Sequence, residues 1–257
     1  MSHLSTAAVI GHSITVLNEV DSTNNYAMQV IKLGLAQHGA AYFAQHQTAG
    51  KGQRDKIWAS NPNENIIISI IANPGPLQLS KSFLLSMATA VACCNWLNEV
   101  TNGDVLIKWP NDIYWNDRKA GGILIENSIR ASYQATPIWQ WAVIGIGINV
   151  NQTAFNADAV NAVSIKQITG KEHHPLLLAK QLCQQLQVYF TKCIELKENE
   201  LLAAYNMLLY KKNSEVHFTD GQATFTAKVI GVNMQGELLL EGAPNAAYPF
   251  GTLKWLL

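Results

Sequence analysis

Residues 107–127 read IKWPNDIYWNDRKAGGILIEN. Ile107 reads as the end of a strand. Trp109-Pro110-Asn111 predicts an extended turn, because Pro110 fixes its own φ and biases Trp109 away from helix. Ile113-Tyr114-Trp115 and Ile123-Leu124-Ile125 are β-rich runs on either side of Asn116-Asp117, a turn pair, so this segment reads as a hairpin. Lys108 falls where a strand meets a turn, a position that can aim its side chain into a cleft. Lys119 precedes Gly121-Gly122, and glycines in a strand let a ligand or another backbone come close. A plain surface hairpin with solvated charges accounts for the turn, but not for an aimed lysine and a glycine pair in the same short span.

Ile14 to Val20 and Ala40 to Gln45 read as strands, with a helical pattern between them. Asn65 to Ala72 (NIIISIIA) is apolar and β-branched, a central strand. Ser80 is a cap candidate for a helix from Lys81 to about Val100, with Phe83, Leu84, Met87, Ala88, Val91 and Leu97 as its inner face. Trp139 to Val150 is another buried strand. Asp158 to Gly170 suggests a short helix and a turn, and Leu176–Leu196 and Glu198–Lys211 two amphipathic helices. From Asn213 the pattern changes to short strands at Glu215–Phe218, Ala223–Gly231, Glu237–Glu241 and Gly251–Trp255, which suggests a small barrel. The chain therefore reads as α+β, with a mixed sheet and packed helices over 1–212 and a small β-barrel over 213–257.

Two polar stretches interrupt this framework, and one strand carries paired glycines. Ser22, Thr23 and Asn24 stand at a helix N-terminus, where unpaired N–H groups suit an anion or a carbonyl. Residues 45–58 (QHQTAGKGQRDKIW) hold Gly50, Gly52, Lys51, Arg54 and Lys56 within seven residues. Backbone N–H groups and cations in such a loop can wrap a phosphate. It is not a P-loop, because Gly52 follows Lys51 where Ser or Thr belongs. A solvated flexible loop explains the composition equally well. In the strand at 139–150, Gly145 and Gly147 repeat at period two, which implies something large packed on that face, either a helix or a ligand.

Composition bounds the alternatives. At 48% hydrophobic and 14% charged residues the chain is globular. Its formal net charge of zero argues against a general nucleic-acid binder. The four cysteines have no metal-ligand spacing, and His173-His174 lacks spaced partners, so no protein-borne metal site is expected. No signal peptide is evident, and no run approaches the about 18 apolar residues of a membrane helix. With buried thiols this reads as a cytoplasmic chain without a membrane partner.

The run Lys108-Trp109-Pro110-Asn111-Asp112, followed by Lys119-Ala120-Gly121-Gly122-Ile123-Leu124-Ile125-Glu126, resembles the signature of biotin protein ligases. The resemblance extends to Ser22-Thr23-Asn24, to the glycine loop and to Gly145-Ile146-Gly147-Ile148-Asn149-Val150, and so covers essentially the whole chain. It implies a class II synthetase/biotin–lipoate ligase-like domain and a C-terminal barrel of the Src-homology-3 type. It also implies ATP and biotin as substrates, with Mg²⁺, and biotinyl-adenylate as intermediate. Ser22, Thr23, Asn24, Gln47, Gly50, Lys51, Gly52, Gln53, Lys108, Gly121 and Gly122 are implied to contact biotin. Lys51, Gln53, Arg54, Lys56, Trp58, Lys108, Asn111 and Asn149 are implied to contact ATP. Lys108 is the expected catalytic cation, Asp112 a candidate base, and the loop from Lys51 to Trp58 a lid.

The loop departs from the family's Gly-Arg-Gly-Arg pattern. Lys51 keeps charge but loses bidentate geometry, Gln53 loses charge, and Asp55 adds a negative one. The implied partner is the biotin carboxyl carrier domain of a carboxylase, met by a monomer or homodimer. No room is left for an N-terminal helix-turn-helix, so DNA is not expected. Rival readings are a lipoate–protein ligase, which the KWPND run and the barrel disfavour, and a non-catalytic biotin- or adenylate-binding protein. A DNA-binding repressor fits the neutral charge least.

Overall fold

The computed structural model describes residues 9–54, 56–130, 137–156, 159 and 161–256. Strand β1 (Ser13–Val20) leads into α1 (Thr23–Lys32), then β2 (Ala40–Gln47) and β3 (Asn65–Ala72). A 3-10 turn at Leu79–Lys81 precedes α2 (Ser82–Thr101). Four strands follow: β4 (Val105–Lys108), β5 (Asp112–Trp115), β6 (Arg118–Arg130) and β7 (Ile138–Asn149). Helices α3 (Ile165–Thr169), α4 (Pro175–Ile194) and α5 (Glu198–Met207) come next. The C-terminal strands are β8 (Glu215–Thr219), β9 (Thr224–Val232), β10 (Leu238–Glu241), β11 (Ala247–Tyr248) and β12 (Lys254–Leu256).

The first seven strands form one sheet in the order β1-β2-β3-β7-β6-β5-β4. Only β1 and β2 pair in parallel; the other neighbours are antiparallel. The central strand expected at 65–72 is there, buried along its whole length. The expected 107–127 hairpin forms too. Asn116 turns with φ +51°, a left-handed angle that asparagine tolerates. The Trp109–Pro110 peptide is cis.

The two faces of this sheet differ. One carries Ile66, Ile68, Ile70, Ile144, Ile146 and Ile148 into the main core, against α2 and α4. On the other face α1 covers Ile71 and Val143 with Ala27 and Ile31. Beyond α1 that second face bears polar residues and glycines.

Two local expectations change. Ser80 lies inside the 3-10 turn and caps nothing; α2 starts two residues later with Lys81 at its N-cap. Instead of one apolar stripe, α2 is buried on most sides, at Leu85, Ala90, Ala92, Cys93, Cys94 and Trp96 as well as at the expected Leu84, Met87, Ala88, Val91 and Leu97, whereas Phe83 is half-buried. It lies between β4, α4 and α5, where small side chains permit close approach. Residues 79–101 are long and apolar enough by composition to cross a membrane, but two-thirds of that apolar window is packed inside the protein.

The helix expected over 158–170 is confined to 165–169, with Ala157, Asp158 and Val160 outside the described residues. Ser164 and Gln167 form its capping box and Gly170 ends it at φ +73°. Helix α5 stops at Met207, short of the expected Lys211. The chain leaves it to bond β4, Ile107 N–H donating to Leu208 O at 2.8 Å and Tyr210 N–H to Ile107 O at 2.8 Å.

The C-terminal strands form a five-stranded antiparallel sheet, β11-β10-β9-β8-β12. Its apolar side chains, among them Phe218, Val229, Leu238 and Tyr248, join the main core. Trp109 anchors the contact: its indole N–H donates to Gly236 O at 2.9 Å.

Candidate active site

The antiparallel registers align one row across the polar face. Ile67 pairs with Gly147, Gly147 with Gly122, Gly122 with Asp112, and Asp112 with Lys108. The next row holds Ser69, Gly145 and Leu124. The period-two glycines of β7 make room, but for side chains of this chain. A Cβ on Gly145 would sit 2.2 Å from Asn24 Oδ1, and one on Gly147 2.5 Å from the Trp58 ring. Gly122 opens toward Asp112 and Lys119, whereas Gly121 points to the core side, where Ile148 Cδ1 takes up its space at 2.4 Å.

Beside these rows lies a buried polar cluster. Ser22, Thr23, Asn24, Gln47 and Ser69 are all at most 9% exposed. Ser22 starts α1 without a side-chain cap bond. Thr23 N–H donates to Gln47 Oε1 at 2.7 Å, and Thr23 Oγ1 lies 3.1 Å from the same oxygen. Ser69 Oγ reaches Thr23 Oγ1 at 2.7 Å and Asn24 Oδ1 at 2.5 Å. Asn24 Nδ2 donates to Glu126 Oε2 at 2.7 Å and to Leu124 O at 3.3 Å. So many polar groups buried together imply satisfied partners, or a ligand that completes them.

The glycine loop closes above the face as a short hairpin. Lys51 bridges Ile57, Gly52 N–H donates to Lys56 O at 2.6 Å, and Trp58 N–H to Gly50 O at 2.9 Å. Gly50 has no room for a Cβ, which would lie 2.3 Å from Trp58 O. Gln53 O accepts the Lys56 N–H at 3.2 Å. Arg54, with φ +54°, reaches the C-terminal sheet, its guanidinium 4.8 Å from the Phe250 ring centroid. Asp55 lies outside the described residues.

Two ammonium groups face the row. Lys119 Nζ is 2.6 Å from Asp112 Oδ1 and 5.9 Å from the Trp58 ring centroid. Lys108 Nζ donates to the Tyr114 hydroxyl at 3.1 Å and lies 5.8 Å from the Trp255 ring centroid. Burial holds the Lys108 ammonium below the ordinary lysine range; Asp112 opposes that shift, and the charges of Lys119 and Lys56 add to it. Burial and the nearby carboxylates push Tyr114 up, so it stays a neutral phenol. The arrangement can hold an anion over the lysines and a polar ring in the cluster beside them.

Two of the residues expected to contact ATP make hydrogen bonds within the protein. Asn111 Nδ2 donates to Ile123 O at 2.5 Å, fixing the turn after Pro110. Asn149 is buried and donates to Lys119 O at 3.3 Å and Val163 O at 3.2 Å, so it holds the backbone that carries Lys119. Sequence reading gave no site role to Lys119, Ser69, Glu126, Tyr114, Trp255 or Phe250. Ser69 did carry a signal, as the one hydroxyl in an apolar buried run. Trp255 and Phe250 depend on how the C-terminal sheet docks, which no local pattern encodes.

Residues 16–149 match the biotin/lipoate A/B protein ligase family. The chain belongs to that family. A curated member, the bifunctional ligase/repressor BirA of Escherichia coli, is 32% identical over 238 residues, covering 90% of this chain and 70% of that protein. The biotin–[acetyl-CoA-carboxylase] ligase of Paracoccus denitrificans is 31% identical over 169 residues, covering 62% and 65%. The family fold is seen in a solved structure of the biotin protein ligase from Aquifex aeolicus in complex with biotin and ATP. It superposes with a TM-score of 0.73 at 24% identity, covering 95% of both chains.

Proposed function

We propose that this chain is an ATP-dependent biotin protein ligase. It joins biotin to ATP as biotinyl-5′-adenylate and passes the biotinyl group to a lysine of a biotin carboxyl carrier domain. The observation that carries the reading is the placement of two ammonium groups beside a buried polar cluster on one sheet face, under a glycine hairpin.

In the first step the biotin carboxylate oxygen attacks the ATP α-phosphorus, and pyrophosphate leaves with the pair of the broken P–O bond. Both reactants are anions, so cations at the meeting point lower the barrier. Lys108 and Lys119 fill that role, with Asp112 holding Lys119 in place. Ser22, Thr23, Asn24 and Gln47 grip the ring of biotin, and Gly122 leaves room for its chain. Lys51, Gln53, Arg54 and Lys56 lie over the phosphates and Trp58 beside the adenylate. Asn111 and Asn149 act through the backbone they hold. Mg²⁺ carried on the ATP phosphates would offset their charge, while Asp112 stays paired with Lys119, and Glu126 with Asn24 and Lys51.

In the second step the carrier lysine attacks the acyl carbon, AMP leaves, and one proton is lost from the amine. Asp112 is the candidate base. The closed hairpin excludes water from the mixed anhydride meanwhile.

The same reading divides the chain at residue 213 into a catalytic domain and a small domain. The C-terminal antiparallel sheet is the framework of a Src-homology-3 type barrel. The protein is cytoplasmic and acts as a monomer or homodimer. The direct test incubates it with biotin, ATP and a carrier domain, and maps the carrier by peptide mass spectrometry. Biotin on one carrier lysine, with AMP and pyrophosphate released, is expected; ATP-dependent lipoylation without biotinylation overturns the reading.

A further inference from the structure

We propose that Glu126 is a positioning residue that sets the direction of the hydrogen bonds in the ring-binding cluster and ties that setting to the glycine hairpin. The inference rests on the biotin-ligase reading above and concerns how the ring is told from its mimics.

Each group in the cluster has a fixed number of protons to give. A carboxylate only accepts hydrogen bonds, and so does a backbone carbonyl. The Asn24 amide atom 2.7 Å from Glu126 Oε2 and 3.3 Å from Leu124 O is therefore the nitrogen. Its oxygen must then be the atom 2.5 Å from Ser69 Oγ, and it takes the one Ser69 proton. Thr23 lies 2.7 Å from Ser69 Oγ, so its own proton closes that contact, with Gln47 Oε1 at 3.1 Å as a second acceptor. The Thr23 N–H separately fixes Gln47 Oε1 at 2.7 Å. That turns Gln47 Nε2 toward Gly50, whose missing Cβ would lie 2.6 Å from it.

The cluster thus offers a ligand the N–H of Gln47 and the lone pairs of Thr23. A cyclic urea, with one carbonyl and two N–H groups, matches that pattern. The order starts at the Asn24 amide, where Glu126 Oε2 at 2.7 Å is the nearer of two groups that only accept and Leu124 O at 3.3 Å the more distant. Asn24, Thr23 and Ser69 are at most 3% exposed, so bulk water does not repair a reversed relay. The other oxygen of Glu126 is 3.7 Å from Lys51 Nζ, at the root of the hairpin. One carboxylate therefore faces both the ring cluster and the loop that covers it.

The test compares Glu126→Leu with Glu126→Gln in biotin-dependent ATP–pyrophosphate exchange. A glutamine can still accept from Asn24 but carries no charge for Lys51. Iminobiotin is the probe, since a protonated nitrogen that donates replaces the urea oxygen that accepts. In Glu126→Leu the biotin-to-iminobiotin ratio of kcat/KM is expected to fall at least about tenfold, with KM for ATP little changed. Glu126→Gln restores the ratio but releases adenylate faster than wild type. An unchanged ratio in Glu126→Leu, or an equal loss in both variants, overturns the proposal. If Glu126→Leu does not fold, Ser69→Ala cuts the same relay and must lower the ratio; an unchanged ratio there overturns it too. A wild-type protein without biotin-dependent exchange means the ligase reading has failed, and equilibrium binding of the two ligands then decides the role of Glu126 by the same ratio.

Discussion

The Lys119 ammonium donates to Asp112 Oδ1 at 2.6 Å, and Asp112 also stands directly across the β4–β5 ladder from Lys108. One carboxylate thus balances two cations that must jointly receive anions. In Asp112→Asn the pairing charge is lost, so Lys119 is no longer held and Lys108 sits among uncompensated positive charge. Adenylate formation is expected to fall by about 10- to 100-fold while the melting temperature changes little, because the pair is only partly buried. Pyrophosphate exchange and a thermal melt check both.

The pH dependence follows from Lys108. Its pKa is lowered chiefly by burial, with the Lys119 and Lys56 charges adding and Asp112 opposing. The ammonium form is required, so activity declines on the alkaline side, at a lower pH than an ordinary lysine gives. Lys56→Ala removes a like charge, raises the Lys108 pKa and moves that alkaline limb to higher pH. Asp112→Asn removes the opposing charge and moves it to lower pH. Profiles of kcat/KM for the three proteins are expected to separate in that order.

Gly145→Ala tests the ring cluster without touching charge. The added Cβ would lie 2.2 Å from Asn24 Oδ1, so Asn24 must move. KM for biotin is expected to rise about tenfold or more, as each about 1.4 kcal/mol of lost binding is a factor of ten. KM for ATP is expected to stay near wild type. Equal effects on both substrates would contradict the separation of the two subsites.

Arg54 and Phe250 join the hairpin to the C-terminal sheet, and Gly251 makes the contact possible. A Cβ there would fall 1.0 Å from Arg54 Nη2. Gly251→Ala is therefore expected to displace the guanidinium and release the adenylate several-fold faster, as is Arg54→Ala. Trapping of released adenylate measures this, and unchanged retention in both variants would show the contact to be incidental.

Trp109 separates scaffold from chemistry within the KWPND run. Its indole N–H bonds Gly236 O and the residue is 3% exposed. Trp109→Phe is expected to cost about 1–3 kcal/mol of stability, for the unpaired carbonyl. Lysine geometry, and hence KM for biotin, should change little in the folded fraction.

Much of this site is legible in the sequence, because the chemistry is concentrated in short runs. The turn at Pro110, the hairpin around Asn116 and the apolar strand at 65–72 follow from local propensity alone. The glycines of β7 announced that something large sits on their face, but spacing could not say that Asn24 and Trp58 fill it. Glu126 reads as an ordinary strand carboxylate until β6 is laid beside α1, 102 residues away in the chain. Trp255 and Phe250 enter through the docking of a separate sheet. Helix α2 reads in sequence as having one apolar face, and its burial on most sides arises from α4 and α5 closing over it.

The role of Lys108 in a biotin ligase is measured by biotin-dependent ATP–pyrophosphate exchange in the wild-type protein and in Lys108→Ala, with lipoate as the control acid. Exchange with biotin, little with lipoate, and a loss of about 10²- to 10³-fold in a folded Lys108→Ala protein are the results expected of that role. Wild-type exchange in the variant, or biotin binding without any exchange, would contradict it.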